Sequence, residues 1–202
     1  MARMGRPRGF DEGRALDAAM LTFWEKGYEA TSTEDLCAAT GLGRSSIYNT
    51  FRSKHDLFER SLGRYLDAMT GAQVAVLRDA GRTGAERVRA VLRMIVEEDA
   101  DCRAAGGRSP GCLAVNSIVG LAGRDAAVAA MLERDTARRL DALRSAVEAG
   151  QRDGSITSKR DAGELSRFVN AAVAGMRVSG QGGAGPAVLE SIAEITMDAL
   201  TP

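Results

Sequence analysis

Apolar residues return at helical spacing along nearly the whole chain, and no segment alternates apolar and polar residues convincingly enough to make a strand. That pattern decides the fold class. A 3.6-residue period buries one stripe of a helix, whereas a two-residue period buries one face of a sheet. Leu16, Met20, Phe23 and Gly27 follow i, i+4, i+7 and i+11 through a first helix at about 11–26. Thr31…Glu34 and Ser32…Asp35 both stand at capping-box spacing and open a second helix that ends at Gly41. A short third helix is expected at about 44–51. Ser53 caps a fourth that runs to about 79, and the Thr83…Glu86 capping box starts a fifth that runs to about 102. A short sixth covers about 110–122, and Val128, Leu132, Thr136, Leu140, Leu143 and Val147 trace a seventh over about 125–149. Leu165, Phe168, Val169, Ala172 and Met176 mark an eighth at about 161–179. Pro186 suits the first turn of a ninth, to about 200, in which Val188, Ile192, Ile195 and Ala199 repeat at 4-3-4 spacing. The expected fold is all-α with about nine helices: three short ones, then a larger helical body.

Aromatic residues divide the chain. Phe10, Phe23, Trp24, Tyr28, Tyr48, Phe51, Phe58 and Tyr65 fall in the first third, and only Phe168 lies beyond. Two differently built cores follow, and we expect a domain at 1–55 and another at 56–202. The 202 residues suffice for both. Net charge is zero, so global charge points to no nucleic-acid partner, but Arg3, Arg6 and Arg8 make an acid-free basic arm. The odd cysteine count (Cys37, Cys102 and Cys112) argues for free thiols in a reducing compartment. No apolar leader and no run near the roughly 18 apolar residues of a membrane helix is present, so the expectation is a cytoplasmic protein without a membrane partner.

The stretch Gly41-Leu42-Gly43-Arg44-Ser45-Ser46-Ile47-Tyr48-Asn49-Thr50-Phe51 raises a narrower question. It holds a helix of about two turns, too short and polar to stand alone. Joined to the preceding helix through Thr40–Gly43, it makes a helix-turn-helix whose turn needs a left-handed glycine. Leu42 is expected to pack inward with Leu36, Cys37, Ile47 and Phe51. The outer face of the third helix is then free to enter a DNA major groove. Arg44 can reach a guanine or a phosphate, and Ser45, Ser46 and Asn49 can bond base edges or phosphates. Tyr48 and Lys54 suit phosphates, as does Thr33 at the start of the second helix. Read from pattern alone, a polar surface helix in some other all-helical fold stays open.

Residues 8–65 resemble the DNA-binding domain of the tetracycline-repressor (TetR) family of bacterial transcription regulators. The resemblance is carried by Ala15 through Phe23, by Gly27-Tyr28-Glu29-Ala30-Thr31-Ser32-Thr33 and by Leu36. It continues through Gly41 to Lys54 and ends with Leu57-Phe58. The Gly5-Arg6-Pro7-Arg8 arm also occurs in many members, which implies DNA contacts by Arg6 and Arg8. His55 stands where the family usually has an acid. The resemblance implies a homodimer on a palindromic double-stranded DNA operator. It also implies dimerisation through the helices at about 161–179 and 186–200, and a small-molecule effector bound in the second domain.

The second domain has no aromatic cage. Its methionines, Met94 and Met176 among them, read first as core packing, and otherwise as lining a modest apolar pocket between the fourth and eighth helices. Arg108-Ser109-Pro110-Gly111-Cys112-Leu113 is more distinctive. Ser109 suits an N-cap and Pro110 a first helical position, which puts Cys112 in the first turn, a setting that favours a thiolate. Asn116 shares its face. In some members of that family a cysteine at this helix start senses electrophiles or oxidants, so the resemblance leaves Cys112 as such a sensor or as a small buried cysteine that packs the helix start. Cys112, Asn116, Met94 and Met176 are therefore the effector candidates. An enzyme is not expected. The single histidine, His55, stands in the reading half, with no metal-ligand cluster, phosphate loop or nucleophile motif, and no cofactor or metal is implied. An activator, or a regulator without a ligand, stays open, because promoter position is not written in the residues.

Overall fold

The computed structural model describes residues 11–107 and 109–202. Among the described residues the chain forms nine α-helices and no strand. These are α1 (Glu12–Lys26), α2 (Thr33–Thr40), α3 (Arg44–Phe51), α4 (Lys54–Leu77), α5 (Gly84–Ala104), α6 (Leu113–Gly120), α7 (Ala126–Asp153), α8 (Ala162–Gln181) and α9 (Pro186–Asp198). None of them is long and apolar enough to cross a membrane. The chain falls into two compact units that part between Tyr65 and Leu66, inside α4.

The first unit is built on aromatic residues. Phe23, Phe51 and Phe58 are fully buried with Leu36, Ile47, Leu57 and Leu62. Phe23 and Phe58 meet edge to face at 5.1 Å, and Trp24 meets Tyr65 at the same distance, a geometry that ring quadrupoles favour. The Asp11 carboxylate opens α1 by accepting from the N–H groups of Gly13 and Arg14. Of the two possible capping boxes before α2, the fold uses Ser32–Asp35. Thr31 is excluded because it is buried and its hydroxyl donates to the Gly27 carbonyl at 2.6 Å.

Asp35 is also held by the Lys26 ammonium at 2.5 Å. That hydrogen bond, followed by those from the Ser32 N–H and hydroxyl, keeps its carboxyl well below the usual aspartate range. A pKa depressed by folding contributes stability above the unfolded-state value of about 3.9 that is lost as pH falls towards the folded value. Thermal melts followed by circular dichroism between about pH 5 and pH 2 are therefore expected to show a steeper fall in midpoint for wild type than for Asp35→Asn. Parallel curves would remove this pair from the acid response.

The second unit has an aliphatic core. Val88, Val91, Leu92 and Ile95 of α5 meet Leu143, Ala146 and Val147 of α7, with Leu165, Val169, Val173 and Met176 of α8 and Leu189 and Met197 of α9. The start of α5 crosses α7 so closely that a Cβ on Gly84 would lie 2.2 Å from the Gly150 nitrogen. The Gly84 N–H is satisfied by the Asp153 carboxylate at 3.0 Å.

The sixth helix begins later than the sequence suggests. Cys112 is its N-cap, in extended conformation (φ −123°, ψ 121°), and Leu113 is its first residue. Ser109 is not the cap and Pro110 is not the first helical position, so Cys112 does not lie in the first turn. The reason is Gly111, whose φ of 73° breaks helical propagation. The Ser109 hydroxyl instead accepts from the Gly111 N–H, inside the loop. Arg108 lies outside the described residues.

Candidate nucleic-acid interface

The turn between α2 and α3 is made by Gly41, which is left-handed (φ 68°, ψ 12°) and donates its N–H to the Cys37 carbonyl. Leu42 is half-buried, and its N–H donates to the Thr40 hydroxyl. Cys37 is also half-buried, so Leu36, Ile47 and Phe51 carry the packing. In α3, Ile47 and Phe51 stand four apart and face inward. Positions 45 and 49 lie opposite, 48 lies at one side, and 44 is open to solvent at the first turn. Arg44, Ser45, Tyr48 and Asn49 are exposed, and Ser46 is half-buried at the edge.

Several of these side chains are organised by neighbours. The Tyr48 and Thr33 hydroxyls lie 3.2 Å apart, so α2 and α3 present a linked pair of hydroxyls. The Lys54 ammonium sits 4.5 Å from the centroid of the Tyr28 ring, a cation–π contact that orients an otherwise flexible side chain. Arg44 stands 3.9 Å from Glu34. Ser53 caps α4 by accepting from the Asp56 N–H at 3.0 Å. The parts played by Tyr28 and Glu34 are not legible in the sequence, which shows the Gly27-Tyr28 dipeptide but not its reach to Lys54. Arg3, Arg6 and Arg8 lie outside the described residues.

In the second unit the four effector candidates stand in different settings. Met176 is fully buried in the core, and Met94 is half-buried on α5. Asn116 donates its amide to the Pro110 carbonyl at 3.3 Å, bracing the loop that leads to Cys112. Other residues line the surface grooves, such as one of about 480 Å³ between α6 and α7 that includes Ile118, Leu132, Thr136 and Leu140.

A polar cluster inside this unit has no signal in the sequence pattern. Arg139 of α7 donates to Asn170 of α8 at 2.8 Å, to Thr70 of α4 at 3.2 Å and to Asp135 at 3.0 Å. Thr70, Asp135 and Gln73 are buried, and the Gln73 side-chain oxygen accepts no hydrogen bond among the described residues. Buried polar groups are costly unless bonded.

Residues 15–60 match a family described as bacterial regulatory proteins, tetR family. Over 193 residues the chain is 32% identical to the HTH-type transcriptional repressor ComR of Escherichia coli (strain K12), covering 96% of this chain and 90% of that protein. It is 31% identical over 171 residues to YezE of Bacillus subtilis (strain 168), an uncharacterized HTH-type transcriptional regulator, covering 83% and 84% of the two chains. Among solved structures, a cysteine mutant of the TetR family transcriptional regulator CifR, complexed with 26-bp double-strand operator DNA, matches with a TM-score of 0.80. Identity there is 28%, over 97% of this chain and 100% of that one.

Proposed function

We propose, from the premise that this chain belongs to the TetR family of bacterial regulatory proteins, that it is a homodimeric repressor which binds a palindromic operator and leaves it when a small effector binds. It is a DNA-binding transcription regulator, as its relatives are. The observation that carries the rest is the outer face of α3. Arg44, Ser45, Tyr48 and Asn49 are exposed together while the opposite side of the same two turns is fully buried. A polar outer face is usual for a surface helix, and in this family's fold Arg44, Ser45, Tyr48 and Asn49 give it the groups that hydrogen-bond in a major groove. Ser46 stands beside them, Thr33 and Lys54 flank the face as phosphate contacts, and Arg6 and Arg8 follow the minor groove.

Homodimerisation is assigned to α8 and α9, each of which exposes apolar residues on the face away from the core. The effector is assigned to the second unit around Arg139, whose guanidinium hydrogen-bonds Asn170, Thr70 and Asp135 inside helical packing. An apolar molecule with one polar group fits that chemistry. A covalent route through Cys112 is the second reading. Gly111, its neighbour, lies against Gln181 at the end of α8, so a group added at Cys112 would press on a dimerising helix.

Selection of bound fragments from random DNA by the purified protein tests the main assignment. A palindrome with half-sites roughly 10 bp apart, or a multiple of that, is expected. Recovery of unrelated sequences would sink the reading. Alkylating electrophiles added to the operator complex separate the effector routes. Release by wild type and retention by Cys112→Ser places the trigger at the cysteine, and equal behaviour removes Cys112 as the trigger.

A further inference from the structure

Arg52 is the only non-glycine among the described residues with a positive φ (54°, with ψ −48°). The Ser53 N–H donates across it to the Phe51 carbonyl. Together these make the γ-turn form with a positive central φ, the rarer and strained of the two. Glycine would adopt it without penalty, yet the chain carries arginine. Strain of this kind persists where the surrounding structure holds it, and it concentrates at functional sites.

The position explains what the strain serves. Arg52 and Ser53 are the only residues between α3 and α4, so the turn ends the helix assigned to the groove and starts the next within two residues. Arg52 is exposed and has no ion-pair or hydrogen-bond partner among the described residues. The acids of this segment are engaged elsewhere. Asp56 pairs with Arg60 at 3.2 Å, Glu59 lies 3.6 Å from the His55 ring nitrogen, and Glu34 stands by Arg44. Arg52 is thus an uncompensated cation, two residues from Lys54, on rigid backbone.

We propose that Arg52 is a further DNA contact, a guanidinium that the strained turn presents to a backbone phosphate beside the one held by Lys54. The planar, bidentate guanidinium suits a phosphate, and a rigid mount reduces the ordering that binding requires. The proposal rests on the DNA-reading assignment above.

The test compares Arg52→Gly, Arg52→Ala and Arg52→Lys with wild type by operator binding across a salt series and by thermal melts. Each phosphate contact contributes about 0.9 to the slope of log K against log salt, so the glycine and alanine variants are expected to lower the slope of a dimer by about 2. Affinity at low salt should fall on the order of 10-fold or more, and lysine should keep the slope. Arg52→Gly relieves the strain, so its melting midpoint should equal or exceed that of wild type while its DNA binding falls. A wild-type slope in the glycine and alanine variants, or an unchanged slope with weaker binding, overturns the proposal and makes the turn a connection only. If wild type itself shows no sequence-specific binding, the regulatory reading falls and this one with it.

Discussion

Ile195→Glu combined with Val178→Glu is expected to give a folded monomer whose operator affinity is lower by two orders of magnitude or more. On α8, Phe168 is 45% and Val178 53% exposed, and the small residues Ala171 and Gly175, also exposed, lie between them at 3-4-3 spacing. On α9, Val188 is 49% and Ile195 63% exposed. The opposite stripes of both helices, with Val169, Met176, Leu189 and Met197, are already in the core. A helix apolar on two sides needs a second surface to cover it. A two-fold interface repeats every residue, so each substitution would bury two carboxylates without partners, which desolvation strongly opposes. Losing the dimer turns one bivalent binding event into two weak ones, and linkage of this kind is worth roughly 10²–10⁴ in apparent affinity. Light scattering gives the mass, circular dichroism the helix content, and fluorescence anisotropy the DNA affinity. A double variant of unchanged mass would mean that this stripe is not the interface. Removing residues 186–202 is a poorer test, because Leu189, Met197 and Leu200 are each no more than 1% exposed and their loss would open the core.

The sequence made the elements legible where local chemistry decides them. Gly41 ends α2 and Gly43 caps the start of α3, and the Ile47–Phe51 spacing fixes the inner face of α3, so its start and its outer residues follow from a few neighbours. Local chemistry failed where two signals were equivalent or tertiary packing chose. Thr31 and Ser32 offered the same capping pattern, and burial of Thr31 selected the other. Ser109-Pro110 carried a helix-start signature, yet the positive φ of Gly111 belongs to a loop packed against Gln181 on a distant helix. The Arg139 cluster draws Thr70, 69 positions away, and Asn170, 31 away, and no periodicity encodes such meetings. The strain at Arg52 was invisible for a different reason: arginine carries no mark of the conformation imposed on it.

Lys54→Ala and Tyr48→Ala should each weaken operator binding while leaving the fold intact, and the two should differ in their salt dependence. The Lys54 ammonium is held by the Tyr28 ring, a contact worth about 0.5–1 kcal/mol at exposed sites. Tyr48 is 38% exposed, and its hydroxyl bonds that of Thr33. Neither truncation opens the core of Phe23, Phe51 and Phe58, so melting midpoints should move little. Affinity is another matter. A charged hydrogen bond to a phosphate is worth about 1.5 kcal/mol at the lower end of its range, and a dimer loses two, so about 3 kcal/mol, or roughly two orders of magnitude, should go with Lys54. Removing one phosphate anchor from each protomer also lowers the salt slope by about 2. Tyr48→Ala removes a neutral donor, so affinity should drop with little change in slope, and Tyr48→Phe isolates the hydroxyl from the ring. Asn49→Ala gives the contrast. If Asn49 reads a base edge, the variant should accept operators altered at one position per half-site with an unchanged salt slope. A wild-type slope for Lys54→Ala would remove Lys54 from the phosphate contacts, and an unaltered sequence preference for Asn49→Ala would leave readout to Arg44 and the two serines.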